Sequence, residues 1–210
     1  MQPSKKRITL KEVAEQAGVS RSAVSRAFTP GASVSAETRR RIEEAAQMLG
    51  YQPSVLASSL STGRTKLIGL VSNNFQNPFY LEVFDVFTKQ LQENELRPLL
   101  VNLSASFDAT SAVTMLRQYS VDGVVVVSST LPPEFSTAFS DAGLPVVHAL
   151  ARHSDQHDVD TVGIDNVSCG RMAARHLKAC GYNRIGFLGG PQQAASTADR
   201  LRGFREIAGD

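Results

Sequence analysis

Apolar residues in the first fifty positions recur at intervals of three and four rather than in alternation, so the chain opens on helices. Leu10, Val13, Ala14 and Ala17 form one apolar face, and Thr9 followed by Glu12 has the form of a capping box at its start. Gly18 stands where a left-handed C-cap residue is needed, and Val19 is apolar and expected to plug the core. Ser20 can cap a second helix over 21–28 whose inner face is Ala23, Val24, Ala27 and Phe28, and Pro30-Gly31 breaks it. Ser35 opens a third helix over 36–49, with Ile42, Ala45, Ala46 and Leu49 turned inward and Gly50 at its end. A helix, a tight glycine turn, a short helix and a longer support make the layout of a helix-turn-helix.

The second helix leaves Arg21, Ser22, Ser25 and Arg26 facing out. Arginine can pair bidentately with guanine, and serine can contact bases or phosphates, so this face suits a DNA major groove. With the cap residues Thr9 and Ser20 these four make the expected DNA-contacting set. The alternative is that Arg21 and Arg26 only solvate an exposed face. Arg39-Arg40-Arg41 could add contacts to the DNA backbone or be equally a solvated surface.

Pro53 biases the chain before it away from helix. The next stretch, 54–63, has helical spacing from Leu56 to Leu60 but too many serines and too little length for a stable isolated helix. A plain interdomain linker would read the same way.

From Lys66 onward apolar strands alternate with helices. Strands are expected over 67–72, 98–103, 123–128, 145–148 and 162–164, with 184–188 opening a further unit. Helices are expected over 78–93, 108–119, 133–142 and 166–180. The valine run Gly123-Val124-Val125-Val126-Val127-Ser128 suits a buried parallel strand. Such alternation indicates a doubly wound parallel α/β sheet that binds ligands beyond the carboxyl ends of its strands.

Charge sharpens this division. Residues 1–66 hold eleven Lys and Arg against five Glu, a balance of +6, and the remainder holds eleven against fifteen acidic residues, or −4. A basic head on a mildly acidic body suggests that the head meets a polyanion, although basic ends also occur on ordinary soluble proteins. No run is long and apolar enough for a membrane, and Lys5-Lys6-Arg7 leads into an amphipathic segment rather than a secretion core, so the expectation is a cytoplasmic protein. Cys169 and Cys180 fall in a helical stretch and are expected as reduced thiols.

A doubly wound sheet also serves many enzymes, but catalytic chemistry is missing. Gly186-Phe187-Leu188-Gly189-Gly190-Pro191 lacks the spacing of a nucleotide fingerprint, and there is no Gly-x-Ser-x-Gly elbow and no metal-spaced histidine cluster. His148, His153 and His157 lie in or near a polar loop and are expected to be solvated. No cofactor and no metal are expected.

The residues resemble the lactose-repressor/galactose-repressor (LacI/GalR) family of bacterial regulators. The resemblance runs through Ile8-Thr9-Leu10-Lys11-Glu12-Val13-Ala14, Ala17-Gly18-Val19-Ser20, Val24-Ser25-Arg26, Val34-Ser35, Thr38-Arg39, Leu49-Gly50-Tyr51 and Pro53. It continues in Leu67-Ile68-Gly69-Leu70, Asn77-Pro78-Phe79-Tyr80, Val121-Asp122-Gly123, Asp165-Asn166, Arg184-Ile185-Gly186 and Gly190-Pro191. It implies a helix-turn-helix head over 1–52 and a hinge over 53–64. A body like the periplasmic binding proteins follows, its first subdomain over 65–164 and its second beginning at 165–210. It also implies that residues 54–61 are a hinge helix ordered when a dimer sits on its operator, with Ala57 and Leu60 in the minor groove and Leu60 wedged between base pairs. An apolar wedge of this kind kinks DNA and lets a protein bury more surface. In the body the resemblance assigns Phe79, Tyr80, Asp165 and Arg200 to a small-molecule effector such as a sugar. An aromatic face can stack on a sugar and an arginine fork can bind hydroxyls or a carboxylate. Helix-start packing is the alternative for Phe79 and Tyr80, and a surface position for Arg200.

Members of the family continue well past this length, so the chain is expected to be a fragment or a truncated product. Its second subdomain would be barely begun and a sheet edge left open. The leading expectation is a DNA-binding transcription regulator, a repressor whose operator affinity changes with a ligand through a population shift. The competing one is a small-molecule binding protein whose head serves assembly.

Overall fold

A computed structural model describes residues 8–29, 31–54, 59, 62–103, 108–152, 159–191 and 194–209. The chain divides into two compact units, Met1–Thr65 and Lys66–Asp210.

The first unit holds α1 (Leu10–Ala17), α2 (Arg21–Ala27) and α3 (Ala36–Leu49). Each helix begins at the expected cap. The Thr9 amide donates to Glu12 Oε2 at 2.9 Å while the Lys11 amide donates to Thr9 Oγ1 at 3.2 Å. Ser20 and Ser35 accept from the Ala23 and Thr38 amides at 3.2 and 3.3 Å. α1 stops at Gly18, whose φ of 63° is left-handed, a conformation that would strain a side chain. The inward residues meet as one small core of Val13, Ala14, Ala17, Val24, Ala27, Ile42, Ala45 and Ala46, with Leu10, Val19, Phe28 and Tyr51 around it. Alanine at five of these eight positions lets three short helices approach closely enough to exclude water.

After α3, the Gly63 amide donates to the Ser59 carbonyl at 2.8 Å, a single i to i+4 bond of helical type. Ala57 and Leu60, the two residues assigned to the minor groove, lie outside the described residues.

The second unit is built on five parallel strands, β1 (Leu67–Ser72), β2 (Arg97–Asn102), β3 (Gly123–Val127), β4 (Val146–Ala149) and β5 (Asp160–Val162), in the order β2-β1-β3-β4-β5. Helices α4 (Pro78–Glu93), α5 (Ala109–Gln118) and α6 (Pro133–Asp141) connect them, and α7 (Asn166–Ala179) and α8 (Ala195–Ala208) follow. Alternation along β1 and β3 feeds two cores. Val71, Val124 and Val126 face Ala112, Leu116 and Phe139 of α5 and α6, whereas Leu70 and Val127 face Tyr80 and Phe84 of α4. This is the doubly wound sheet expected from the alternation of strands and helices. Its connections reverse direction between β1 and β3, which opens a crevice at their carboxyl ends.

Three expectations need correction. The last strand lies two residues early, at Asp160–Val162 rather than 162–164, because Thr161 pairs with His148 and Val162 with Ala149. The segment 184–188 forms no strand: no described strand lies beside it to complete a ladder, and Leu188 is fully exposed. His148 is buried rather than solvated, because β4 turns it into the interior. There its Nε2 meets the Ser128 carbonyl at 3.1 Å and its Nδ1 meets Ser136 Oγ at 3.0 Å. A carbonyl can only accept, so Nε2 carries a proton, and in the neutral ring Nδ1 then accepts from the serine hydroxyl. Burial pushes the His148 pKa below the ordinary histidine value, opposed by the bond to Ser128, so the ring is held neutral.

Candidate nucleic-acid interface and ligand cleft

In the head, α2 turns Val24 and Ala27 into the core and leaves Arg21, Ser22, Ser25 and Arg26 exposed. Neither the Arg21 nor the Arg26 side chain has a hydrogen bond or ion pair among the described residues. Both guanidiniums are therefore available to a partner. Ser20 Oγ and Ser22 Oγ are 2.9 Å apart, so the cap also steadies the first outward serine. Thr9 and Ser20 stand at the starts of α1 and α2, where free amides favour an anion.

The arginine run behaves differently. Arg39 donates to the carbonyl of Ala27, the last residue of α2, and to that of Ala32 at 3.4 Å. Arg41 Nη2 donates to the carbonyl of Ala17, the last residue of α1, at 2.5 Å. Arg40 pairs with Glu37 at 3.2 Å and Glu44 at 2.8 Å, and these carboxylates, Glu37 first, raise its pKa. Two of the three arginines thus satisfy helix-end carbonyls and the third is neutralised on its own helix. The charge left free in the described head sits largely on α2, whereas on α1 Lys11 pairs with Glu15 at 3.7 Å.

In the body, the crevice is lined by polar groups that follow β1 and β3. Asn73 Nδ2 donates to Thr130 Oγ1 at 2.9 Å, and the buried Ser128 hydroxyl donates to Asn73 Oδ1 at 2.9 Å. Tyr80 is 2% exposed, and its hydroxyl accepts from the Ser129 amide at 3.0 Å. Its ring packs in the α4 core, so helix-start packing describes it better than a ligand-stacking face. Phe79 is exposed and lies edge-on to Tyr80, with centroids 5.9 Å apart. The Ser129 carbonyl in turn accepts from the Ala195 amide at 3.1 Å, which docks the start of α8 at the carboxyl end of the sheet.

Asp165 caps α7, accepting from the Ser168 amide at 2.9 Å and its hydroxyl at 2.6 Å, and these bonds hold its pKa below the usual carboxylate value. Arg200 Nε donates to Asn166 Oδ1 at 2.8 Å. The structure therefore ties Arg200 to Asn166, the residue after Asp165, across α8 and α7, while Phe79 touches Tyr80 beside the crevice.

Pattern reading missed a bidentate ion pair to a buried carboxylate here. Arg152, three residues beyond β4, meets the buried Asp199 bidentately, Nε to Oδ2 and Nη2 to Oδ1 at 2.7 Å each, and Arg202 adds a third contact at 3.2 Å. It also missed Gly170 and Gly203, where α7 and α8 cross. A Cβ on Gly203 would collide with the Val167 carbonyl, and one on Gly170 with the Arg200 carbonyl. Glycines inside otherwise helical patterns were the available signal. Among the described residues no group of His, Cys, Asp and Glu is placed to hold a metal, and no helix is long and apolar enough to cross a membrane.

Two family models match the chain. Residues 9–54 match "Bacterial regulatory proteins, lacI family", and residues 65–209 match "Periplasmic binding proteins and sugar binding domain of LacI family". Among similar proteins, the HTH-type transcriptional regulator CelR of Thermobifida fusca is 32% identical over 208 residues, covering 96% of this chain and 61% of CelR. PtxS of Pseudomonas plecoglossicida, another HTH-type transcriptional regulator, is 33% identical over 204 residues, covering 95% of this chain and 59% of PtxS. The chain thus spans less than two thirds of the length of these relatives. Among solved structures, a lac repressor dimer bound to operator and the anti-inducer ONPF superposes with a TM-score of 0.81 at 26% identity, over 96% of this chain and 62% of that one. A CelR–cellobiose complex superposes at 0.59 with 31% identity, over 96% and 61%.

Proposed function

Since the chain belongs to the LacI family of bacterial regulatory proteins, we propose that it is a sequence-specific DNA-binding transcription regulator whose operator affinity is set by a small molecule. One observation carries this reading: α2 presents Arg21, Ser22, Ser25 and Arg26 outward with no internal partner for either arginine, on a helix fixed at both ends. In this mechanism α2 enters the major groove, the arginines pair with guanine edges, and the serines contact bases or phosphates. The starts of α1 and α2, with Thr9 and Ser20, meet phosphates.

The hinge would complete the reader, with Ala57 and Leu60 in the minor groove of an operator held by a homodimer. The regulator acts in the cytoplasm, most simply as a repressor. Its effector, a sugar or related metabolite, occupies the crevice beyond β1 and β3 near Arg200, and Asp165 positions the start of α7 beside it. Closure around the ligand then shifts the population between DNA-binding and released states. The named relatives are transcriptional regulators, and we read this chain as non-enzymatic.

The test is a binding titration of the full chain against a randomised duplex pool, followed by the selected sequence and a shuffled control. Preference for the selected duplex is the expected result, with affinity falling steeply as salt rises. No binding to any duplex at low salt would remove the DNA role. Leu60→Ala tests the hinge: it should weaken specific binding far more than binding to the shuffled control, and equal losses would sink the wedge.

A further inference from the structure

We propose that the effector of this protein carries an anionic group, a carboxylate or a phosphate, and that Arg152 is the residue that selects it. The inference rests on the reading that the carboxyl-end crevice takes the effector.

Arg152 leaves the sheet just beyond β4, at the end where a doubly wound fold binds its ligands. A guanidinium has two edges able to grip a carboxylate or phosphate bidentately, one made by Nε and Nη2 and the other by Nη1 and Nη2. In Arg152 the first edge is committed to Asp199, at 2.7 Å through each nitrogen. The second edge has no partner among the described residues, and the side chain is 52% exposed. Asp199 is buried and both its oxygens are engaged, Oδ2 by Arg152 and Oδ1 by Arg152 and Arg202, so it serves as a bracket that orients the guanidinium. One residue along α8, Arg200 is held in the same manner: Nε is fixed on Asn166 and both Nη groups are left over.

Among the described residues, free acceptors are scarce at this end of the fold. A neutral sugar hydroxyl donates as well as accepts, so a site for neutral sugars needs free carboxylates or amide oxygens. Asp165 spends both carboxylate oxygens capping α7, Asp108 gives its Oδ1 to capping α5, Glu134 is itself partnered, and Asn73 Oδ1 already accepts from Ser128. The crevice as described therefore offers oriented guanidinium donors and few free acceptors. That balance suits a ligand that brings its own negative charge.

The experiment is a thermal-shift and calorimetric screen of the full chain against matched sets: hexoses and pentoses, their aldonates, and their terminal phosphates. Each hit is repeated on Arg152→Lys, which keeps the charge opposite Asp199 but lacks the second edge. Binding of aldonates or sugar phosphates, but not of their neutral parents, with affinity at least about tenfold weaker in Arg152→Lys, is expected. Hits confined to aldonates identify the carboxylate, and hits confined to phosphates identify that group. Neutral sugars binding as tightly as their acids, or unchanged affinity in Arg152→Lys, overturns the inference while leaving the sensor reading intact. Binding of none of the matched sets overturns both.

Discussion

Arg39 of α3 donates its guanidinium to the carbonyl of Ala27, the last residue of α2, so the third helix fixes the end of the second. Arg41 does the same for Ala17 at the end of α1. A basic run that resembles a phosphate-binding strip is thereby spent on internal carbonyls and, at Arg40, on carboxylates of its own helix. Arg39→Met keeps the aliphatic stem and removes the donors. It should cost about 1–2 kcal/mol of head stability in a urea titration followed by circular dichroism. Operator affinity should fall with it while the slope of log affinity against log salt stays unchanged. A slope lowered by about one would show instead that Arg39 touches phosphate.

Arg21 and Arg26 should show the opposite behaviour. Their replacement by alanine leaves the buried face of α2 intact, since Val24 and Ala27 make the core contacts. Thermal stability should hardly change. Each substitution at a guanine contact should cost about 1–3 kcal/mol on the selected duplex and relax preference at one base position. Competition binding on single-position variants of the duplex measures this, and an unaltered preference in both variants would return the two arginines to a solvated surface.

Gly203 lies where α8 presses on α7, with its missing Cβ directed at the Val167 carbonyl. Gly203→Ala must separate the helices and disturb the bond from Arg200 to Asn166 nearby. A loss of at least about 1–3 kcal/mol in the unfolding of the body is expected, from overpacking against backbone that cannot yield. A substitution to alanine at the C-cap Gly209, where a Cβ would meet nothing, controls for glycine removal as such. Its φ of 85° makes that control mildly destabilising in its own right, so only a larger loss at Gly203 counts.

Tyr80 should behave as a structural anchor. Its hydroxyl accepts from the Ser129 amide, and the Ser129 carbonyl receives the Ala195 amide at the start of α8. Tyr80→Phe keeps the ring in its core and removes the bond, for an expected cost of about 1–2 kcal/mol. Amide hydrogen exchange should accelerate at Ser129. Unchanged protection there would deny Tyr80 the anchoring role.

What was legible in the sequence follows the range of the interactions. Thr9, Ser20 and Ser35 cap amides two or three residues away, and Gly18 ends α1 through its own backbone, so local pattern located all three helices of the head. The valine run of β3 announced a strand buried on both faces. Contacts between distant residues carried no such signal. Arg41 finds its carbonyl 24 positions away and Arg152 its carboxylate 47 away, and nothing in charge or spacing distinguishes these arginines from solvated ones. Tyr80 and Phe79 illustrate the same limit from one pair of neighbours. Successive helix positions point about 100° apart, so one ring enters the core while the other meets solvent, and only the packed structure says which.

His148 was misread for the same reason, and its burial has a consequence in solution. Its ring donates to the Ser128 carbonyl and accepts from Ser136, an arrangement that only the neutral form can make. Burial lowers its pKa in the native body, whereas in the unfolded chain the ring titrates near its ordinary value of about 6.5. Below that value the unfolded chain takes up a proton that the native state refuses. The stability contributed by His148 is therefore fully present above about pH 6.5 and is lost as pH falls toward the depressed native pKa. The exposed carboxylates Asp108, Asp165 and Glu206, whose pKa values are lowered by hydrogen bonds from Ser111, Ser168 and Arg171, contribute with the same sign but in a lower pH window. They lose their share only on acidification through the carboxylate range, below about pH 4. Urea unfolding of the body at pH 8, 6.5 and 5 should thus show a fall between the last two that His148→Gln removes. That variant can still donate to the Ser128 carbonyl but cannot titrate. An equal fall in both proteins would assign the pH dependence to other groups and leave His148 as a neutral spacer.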